Sequence, residues 1–389
     1  MRIERVRLFF VRLPLVHRFE TSSHSKDGIE HVLVELTDRD GTVGWGEIAS
    51  PSDPYFCSET VDTSWNMSVR HLVHRVLAHE WEHPADLETS WVKVRGHEFA
   101  KAGFAGAAWD LFSRTQGTSL ASALGGTRSE VHSGVSLGIE PSIDALLAQV
   151  QRQLEAGYGR VKLKIAPGWD LEPVRATRAA FPKVDLHVDA NAAYLRGEES
   201  TALFRSLDPF DLTMIEQPFG ARDFIAHAEL QKHLQTSICL DESIVSIEDL
   251  ETMLRMRAGR ILNIKVSRMG GLTQAKRAHD LAEQSGVPVW CGGMHEFGIG
   301  RATNVALSSL PNFSLPSDVS GSDKYYARDI IDPPVHAIDG VVAVSTSPGL
   351  GYRVDVEWIE REALQTFDST LADQAGAATR VLATAGGVA

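Results

Sequence analysis

The fold is decided by five short runs, VKLK (161–164), LHVD (186–189), TMIE (213–216), ICLD (238–241) and LNIK (262–265). Their last residues are Lys164, Asp189, Glu216, Asp241 and Lys265, which follow one another at intervals of 25, 27, 25 and 24 residues. That interval is the length of one strand and one helix, and polar or turn-forming residues and then a helical pattern follow each run. Parallel strands connected in this way close into a barrel, with their carboxyl ends at one mouth. The pattern therefore predicts an α/β barrel with five charged side chains around one opening.

The alternation within each run predicts which side chains face the barrel interior. Residues i and i+2 of a strand share a face, so Lys162 points the same way as Lys164, and His187 the same way as Asp189. The intervening apolar residues then face the helices: Val161, Leu163, Leu186, Val188, Leu240, Leu262 and Ile264. Barrel interiors are usually packed with branched apolar side chains, so polar residues there need charged or hydrogen-bonding neighbours. Such neighbours indicate chemistry more than packing.

The three acidic residues at the strand ends favour a metal site. Carboxylate oxygens are hard ligands that suit Mg²⁺ or Mn²⁺, which keep open positions for the oxygens of a substrate carboxylate. Lys164 and Lys265 would flank such a site as proton-transfer groups, and Lys162 would disfavour the charged form of Lys164. Taken singly, each acid fits a helix N-cap equally well. Three of them at successive strand ends, between two lysines, favour the metal site.

Composition limits the class of protein. The chain has 389 residues, 43% hydrophobic and 23% charged, with a net charge of −13. The net charge argues against general nucleic-acid binding, which depends on lysine and arginine neutralising phosphates. No stretch approaches a membrane span, and the first residues, MRIERVRLFFVRLPL, read as a strand and not as a signal peptide. We therefore expect a cytoplasmic protein with three reduced thiols at Cys57, Cys239 and Cys291.

Three regions are predicted along the chain. Strand-like runs at 2–12, 30–37 and 43–48 precede helical stretches from Ser58 to Thr115, which is typical of a small α+β domain. The βα alternation then begins near residue 131. The predicted division is an α+β domain over 1–130, completed by about 320–356, a barrel over 131–319, and a partly flexible helical tail over 357–389.

At these residues the sequence resembles the enolase superfamily, in its muconate-lactonizing branch, and within it the o-succinylbenzoate synthase / N-succinylamino acid racemase group. The resemblance runs from about Val6 to about Gly351. Its landmarks are GWGE at 44–47, SDP at 52–54, KLKIAPGWD at 162–170, VDAN at 188–191, IEQPF at 215–219, LDES at 240–243, NIK at 263–265 and PVWCGGM at 288–294. Their joint order and spacing make the resemblance specific.

The resemblance implies a modified (β/α)7β TIM-like barrel with an N-terminal α+β capping domain, assembled as a dimer or an octamer. It implies Mg²⁺, with Mn²⁺ as an alternative, held by Asp189, Glu216 and Asp241, and a small carboxylate substrate. It also implies abstraction of the proton α to that carboxylate, giving an enediolate, by a lysine base. Racemisation would use Lys164 and Lys265 on opposite faces of the carbon, whereas syn dehydration needs one base and one cation.

Further residues are predicted to surround the substrate. Arg268 stands where the group also has arginine, and the glycine-rich stretch 292–300 predicts a tight loop at the mouth. Capping-domain loops at 21–26 and 50–56 are expected to shape the pocket. The predicted substrate contacts are Asn191, Arg268, Gly293, Met294, His295, Ser23 and Tyr55, and Glu242 is predicted to support the metal ligands. Helix capping accounts equally well for Asn191 and Glu242.

Two departures from the group's pattern affect the substrate and not the acid–base machinery. The chain reads GGMHEFGIG where the group usually has an aliphatic residue followed by Glu-Thr, and NIKVSR where it usually has NIKPGR. Alternatives therefore remain: a dipeptide epimerase or cycloisomerase on the same scaffold, or a non-catalytic relative that binds a carboxylate.

Overall fold

The structure is a computed structural model that describes residues 1–20 and 25–373. Ser23, predicted as a substrate contact, and residues 374–389 of the predicted tail lie outside the described residues. The N-terminal elements are β1 (Ile3–Glu20), β2 (Ser25–Asp38), β3 (Val43–Ile48), α1 (Val61–Met67), α2 (Val73–Ala78), α3 (Pro84–Glu88), α4 (Glu98–Thr115) and α5 (Leu120–Leu124). The three strands and the helices that follow confirm the predicted α+β domain.

The barrel elements alternate as the spacing predicts. They are β4 (Glu130–His132), β5 (Val135–Leu137), α6 (Ile143–Glu155), β6 (Arg160–Lys164), α7 (Leu171–Ala180), β7 (Asp185–Asp189), α8 (Glu198–Leu207), β8 (Met214–Glu216), α9 (Phe224–His233), β9 (Ser237–Leu240), α10 (Ile247–Met256), β10 (Ile261–Ile264), α11 (Leu272–Gln284), β11 (Val289–Cys291) and α12 (Gly298–Ser308). After them come β12 (Ile331–Asp332), β13 (Val341–Ala343), β14 (Arg353–Val354), α13 (Val356–Glu362) and β15 (Gln365–Thr370).

Seven parallel strands form the barrel sheet, in the order β11-β10-β9-β8-β7-β6-β5. The register aligns the charged strand ends, because Lys164 is paired with Asp189, and Asp189 with Glu216. Residues 312–318 close the ring through two parallel bridges, one from Phe313 to Val289 and one from Ser317 to Ser133. The barrel prediction is therefore confirmed. The closing segment 312–318 is joined to its neighbours by single β-bridges and not by a continuous ladder of hydrogen bonds.

The two faces of the barrel strands separate as predicted. The outward apolar side chains, such as Val161 and Leu163, are buried in the core between the sheet and its helices. Inside the barrel a small apolar cluster of Met214, Cys239, Ile261 and Trp290 fills the space below the charged residues. This plug excludes water from the floor of the mouth and lowers the local dielectric, so each charge above it depends on its partners.

The N-terminal sheet packs on α4 with almost no space between them. A Cβ at Gly46 of β3 would lie 1.9 Å from the carbonyl oxygen of Gly103 in α4, which no side chain can do. Glycine at 46 is thus required for close approach of strand and helix, and not for an unusual backbone angle. The sheet runs in the order β15-β1-β2-β3.

The prediction of a helical tail from residue 357 is wrong for residues 365–370. Helix α13 ends at Glu362, and β15 then pairs antiparallel with β1, from Arg5 opposite Thr370 to Phe10 opposite Gln365. The free edge of β1 offers unpaired backbone groups, and pairing with them outweighs the weak local preference of the segment QTFDST. Phe367 also packs on the N-terminal core. None of the helices in the described part of the chain combines the length and apolarity that a membrane crossing requires.

Candidate active site

One cavity lies at the carboxyl ends of the barrel strands, between the barrel and the N-terminal domain. The barrel contributes Lys162, Lys164, Asp189 and Lys265 to its wall. The N-terminal domain contributes residues from β2 and from the loop after β3: Lys26, Ile29, Glu30, His31, Ser50, Pro51, Ser52, Tyr55 and Phe56. The N-terminal domain therefore caps the barrel, and the predicted lysines share one enclosed space with it.

On one side of the cavity, Lys164 is held by residues of the next strand. Its Nζ donates to Oδ2 of Asp189 at 2.7 Å and to Oδ1 of Asn191 at 2.5 Å. Burial raises the pKa of Asp189, but the charges of Lys164 and Lys162 lower it by more than burial raises it, so this carboxylate stays ionised. Asn191 also donates through Nδ2 to Glu242 at 3.1 Å. The predicted pair Asn191 and Glu242 thus lies beside the lysine, where it orients the amine.

On the other side, Lys265 is held by Asp241. The lysine Nζ donates to Oδ2 of Asp241 at 2.8 Å and lies 4.5 Å from the centroid of the Phe56 ring of the cap. Burial lowers the pKa of Lys265, but Asp241 raises it more, and the net direction is upward. Lys265 is therefore a cation as it stands, and one that the cap covers with an aromatic face.

Lys162 lies deeper, at the centre of the buried charges. It donates to Oε2 of Glu216 at 2.8 Å, and its Nζ is 3.4 Å from Asp189 and 3.2 Å from Asp318. The Trp290 ring lies below it, 4.5 Å from Nζ to the centroid. Burial lowers the pKa of Lys162, but the three carboxylates raise it well above its ordinary value. Lys162 thus acts as a permanent cation that binds the acids together.

The donor set at the strand ends fits a divalent cation in ligand type and in charge. Burial and the charges of Asp189 and Asp241 raise the pKa of Glu216 to about 8, and a cation between the three acids would reduce their mutual repulsion. As placed, however, each carboxylate is turned towards a cationic or amide side chain. Within the described residues, no three acidic, histidine or cysteine side chains are grouped as a ligand set.

Arg268 is not at the cavity wall, contrary to its prediction as a substrate contact. It is buried, and its guanidinium donates to the Asp241 carboxylate, to the carbonyl of Ile244 at 2.7 Å and to the carbonyl of Asn263 at 2.5 Å. These bonds occupy the side chain, because the turn after β10 directs it back towards β9. Burial raises the pKa of Asp241, but Lys265 and Arg268 lower it more.

The other predicted contacts lie on the wall. Gly293, Met294 and His295 line the cavity from the loop after β11, and Tyr55 lines it from the cap with 64% of its surface exposed. The His295 ring packs edge-to-face on Tyr325 at 5.1 Å. Tyr326 Oη donates to the His295 carbonyl. The loop is thus fixed by aromatic residues that follow the barrel.

Asp318 and Glu47 contact the site but are absent from the residues predicted for it. Asp318 accepts from Arg160 at 2.7 Å and from Ser136 at 3.1 Å, in addition to its contact with Lys162. Glu47 of the GWGE stretch accepts from the backbone amides of Phe297 and Gly300, each at 2.7 Å, and so joins the cap to the loop at the mouth. The landmark GWGE pointed to Glu47, but nothing local in the sequence indicated a partner 250 residues away.

Comparison with known families agrees with this arrangement. Residues 5–125 match the mandelate racemase / muconate lactonizing enzyme N-terminal domain, and residues 145–358 match the enolase C-terminal domain-like family. The chain belongs to the enolase superfamily. Members of the superfamily share the cap-and-barrel architecture described above, so the predicted resemblance and fold class are confirmed.

Relatives within the superfamily carry two activities in their names. An o-succinylbenzoate synthase of Geobacillus kaustophilus is 46% identical over 359 residues, covering 92% of this chain and 95% of the relative. An N-succinylamino acid racemase of Amycolatopsis sp is 44% identical over 352 residues, covering 90% and 95%. A crystal structure of an enolase superfamily member from Listeria innocua superposes with a TM-score of 0.92 at 36% identity, covering 95% of this chain and 100% of that one.

Proposed function

We propose that this protein removes the proton α to a substrate carboxylate, and that it uses the resulting enediolate for the syn dehydration that yields o-succinylbenzoate, for the racemisation of N-succinylamino acids, or for both. The observation that carries the proposal is the position of two amines in one cavity. Lys164 ends β6 and Lys265 follows β10, and these strands are four positions apart in a barrel of eight, counting residues 312–318 as the eighth strand position. They therefore approach a bound carbon from opposite sides.

The acids between the two lysines support a metal-assisted form of this chemistry. Asp189, Glu216 and Asp241 would hold Mg²⁺, as superfamily sites that combine a lysine base with this ion do. When bound, the ion would supply positive charge where the second negative charge of an enediolate develops. In the chain itself, Lys162 donates to Glu216 and Arg268 donates to Asp241, so each of these acids already has a cationic partner.

The lysines have different surroundings and hence different roles in each reaction. Lys164 contacts one carboxylate and one amide, whereas Lys265 contacts Asp241 and the face of Phe56. In racemisation each lysine would act once as base and once as acid, according to the enantiomer. In dehydration Lys164 would remove the proton, and Lys265, held as a cation by Asp241, would stabilise the enediolate. The same cavity supports both outcomes because they share the first step.

The proposal is tested by following the α-proton of N-succinyl amino acids by NMR in D₂O with Mg²⁺. Wild-type protein is expected to exchange the proton of both enantiomers and to invert the centre. Lys164→Ala and Lys265→Ala are each expected to lose inversion by about 10²–10⁴-fold, the range for a general acid–base group, while each retains exchange of a different enantiomer. Conversion of the cyclohexadiene precursor to o-succinylbenzoate is measured in parallel.

The matched control is Lys183→Ala, which removes an exposed lysine near the opposite end of β7. It should leave both exchange and inversion at the wild-type rate. Equal loss of exchange for both enantiomers in the Lys265→Ala protein would contradict the two-base arrangement. Absence of both exchange and dehydration in the wild-type protein would contradict the proposal as a whole.

A further inference from the structure

Lys26 is a cation on the cap side of the cavity, apart from the three barrel lysines. It stands near the start of β2, is half-buried and lines the cavity. Within the described residues it forms no ion pair, whereas Lys162, Lys164 and Lys265 each contact a carboxylate within 2.8 Å. Burial lowers the pKa of Lys26, and Asp53, the acid that interacts with it, opposes this effect without reaching ion-pair distance.

The barrel wall of the cavity also carries a histidine and an arginine, His295 and Arg301. Burial lowers the pKa of His295 well below its ordinary value, and the next causes are the charges of Lys26 and Arg301. Arg301 donates to the backbone carbonyls of Ser320 and Glu296, each at 2.8 Å, so these bonds bring no carboxylate to it. The carboxylate of Glu296 accepts from the backbone amide of Met294 at 2.9 Å, and Glu30, Glu242 and Asp318 are further acids on the cavity wall.

We propose that Lys26, with His295 beside it, forms a subsite for a second carboxylate of the substrate, at the end of an acyl chain that leads away from the reacting carbon. The inference rests on the proposed function. The relatives' names share a succinyl group, and a substrate with that group has one carboxylate at the reacting end and another at the far end. The strand-end groups bind the first, and Lys26 offers a cation on the cap wall for the second.

The position of the subsite on the cap has a physical reason. A carboxylate beside the barrel lysines would compete with Asp189 and Asp241 for their amines and would change the basicity of the groups that move the proton. A cation from β2 avoids this competition, because it lies on the wall that the cap supplies. The subsite therefore selects the acyl group without disturbing the acid–base pair.

The test compares two substrates that differ in one charge: an N-succinyl amino acid and its analogue in which the terminal carboxylate is a primary amide. The wild-type protein is expected to prefer the acid by about tenfold in kcat/KM, mainly through KM, as befits a charge-assisted hydrogen bond at a partly exposed site. In Lys26→Met the preference should fall to near one. Lys26→Arg should restore it, because the charge returns.

The matched control is Lys93→Met, which removes an exposed lysine of the cap outside the cavity and should keep the full preference. A second variant, His295→Leu, should reduce the preference in part. Exchange of both substrates with an unchanged preference in Lys26→Met would overturn the subsite and leave the proposed function in place. Exchange of neither substrate by wild-type protein would overturn the proposed function and the subsite with it.

Discussion

Glu47→Gln is expected to weaken the attachment of the cap to the barrel. Glu47 is buried in β3, and its two carboxylate oxygens accept three hydrogen bonds, two of them across the domain boundary. Oε1 accepts from the Phe297 amide and from Nδ1 of His31, and Oε2 accepts from the Gly300 amide, all at 2.7 Å. These amides belong to the start of α12, which has no side-chain cap of its own within the helix. Glu47 therefore serves as the missing cap and supplies negative charge at a helix N-terminus.

The magnitude follows from the number of acceptors. Glutamine has the same shape but presents one oxygen and one NH₂ group, so either the Phe297 or the Gly300 amide faces a donor and loses its partner. A buried amide left unpaired costs about 1–3 kcal/mol, and the remaining bonds lose the charge that strengthens them. The free energy of unfolding should thus decrease by roughly 2–4 kcal/mol.

The assay is urea unfolding, with Glu80→Gln as the control. Glu80 forms an exposed ion pair with Arg2, so its substitution should change the free energy of unfolding by less than about 0.5 kcal/mol. Because Phe297 follows the cavity residues Met294 and His295, kcat/KM of Glu47→Gln should fall as well. A Glu47→Gln protein as stable and as active as the Glu80→Gln control would refute the reasoning.

Three further outcomes are expected. His227 accepts at Nε2 from the Phe219 amide, and burial lowers its pKa to about 4. Because the unfolded chain takes up this proton at a higher pH than the folded protein does, the free energy of unfolding should decrease as the pH falls below about 6.5, by roughly 2.5 kcal/mol at pH 4.5. Urea unfolding of His227→Gln should lack this part of the pH dependence, whereas His233→Gln, exposed on the same helix, should retain it. Gly46→Ala places a Cβ 1.9 Å from a carbonyl oxygen of α4 and should cost roughly 3 kcal/mol or more, and an unchanged midpoint of thermal unfolding would contradict that contact. Asp318→Asn keeps the shape of the side chain but removes its charge, which leaves the buried cations Arg160 and Lys162 without this partner. The free energy of unfolding, measured in urea, should decrease by about 3–5 kcal/mol, and an unchanged value would contradict a role for the charge.

The positions of the charged strand ends could be predicted because they follow from local rules. Alternation within a strand places Lys162 and Lys164 on one face, and parallel pairing aligns the ends of successive strands. The structure agrees, with Lys164, Asp189 and Glu216 as the last residues of their strands. Asp241 and Lys265 each lie one residue beyond β9 and β10. Both residues still lie at the mouth of the barrel, so the five charged side chains are grouped there as predicted.

The partners of these residues could not be predicted, since they depend on the closure of the barrel. Asp318 reaches Lys162 because residues 312–318 complete the ring beside β5, and no periodic signal marks a segment joined by single bridges. Arg268 was assigned to the substrate from its place in a motif, although the turn after β10 directs it to Asp241. Strand β15 was missed for a similar reason, because the free edge of β1 determines its conformation. In each case the deciding contact spans a distance in sequence over which propensity carries no information.

Cavity residues of the barrel and of the cap differ in how many partners they have, and we expect them to differ in role: the barrel residues move the proton, and the cap residues select the substrate. Lys162 contacts three carboxylates and an aromatic ring, and Asp241 is bound by both Lys265 and Arg268, so each barrel group is fixed by several others. Removing one such group leaves a buried charge without compensation, which costs far more than the loss of one contact. Lys26 on the cap has no ion pair within the described residues, so its replacement disturbs little besides the ligand. Substitutions at the cap side of the cavity should therefore change which carboxylate is bound, and substitutions at the strand ends should change whether its proton moves.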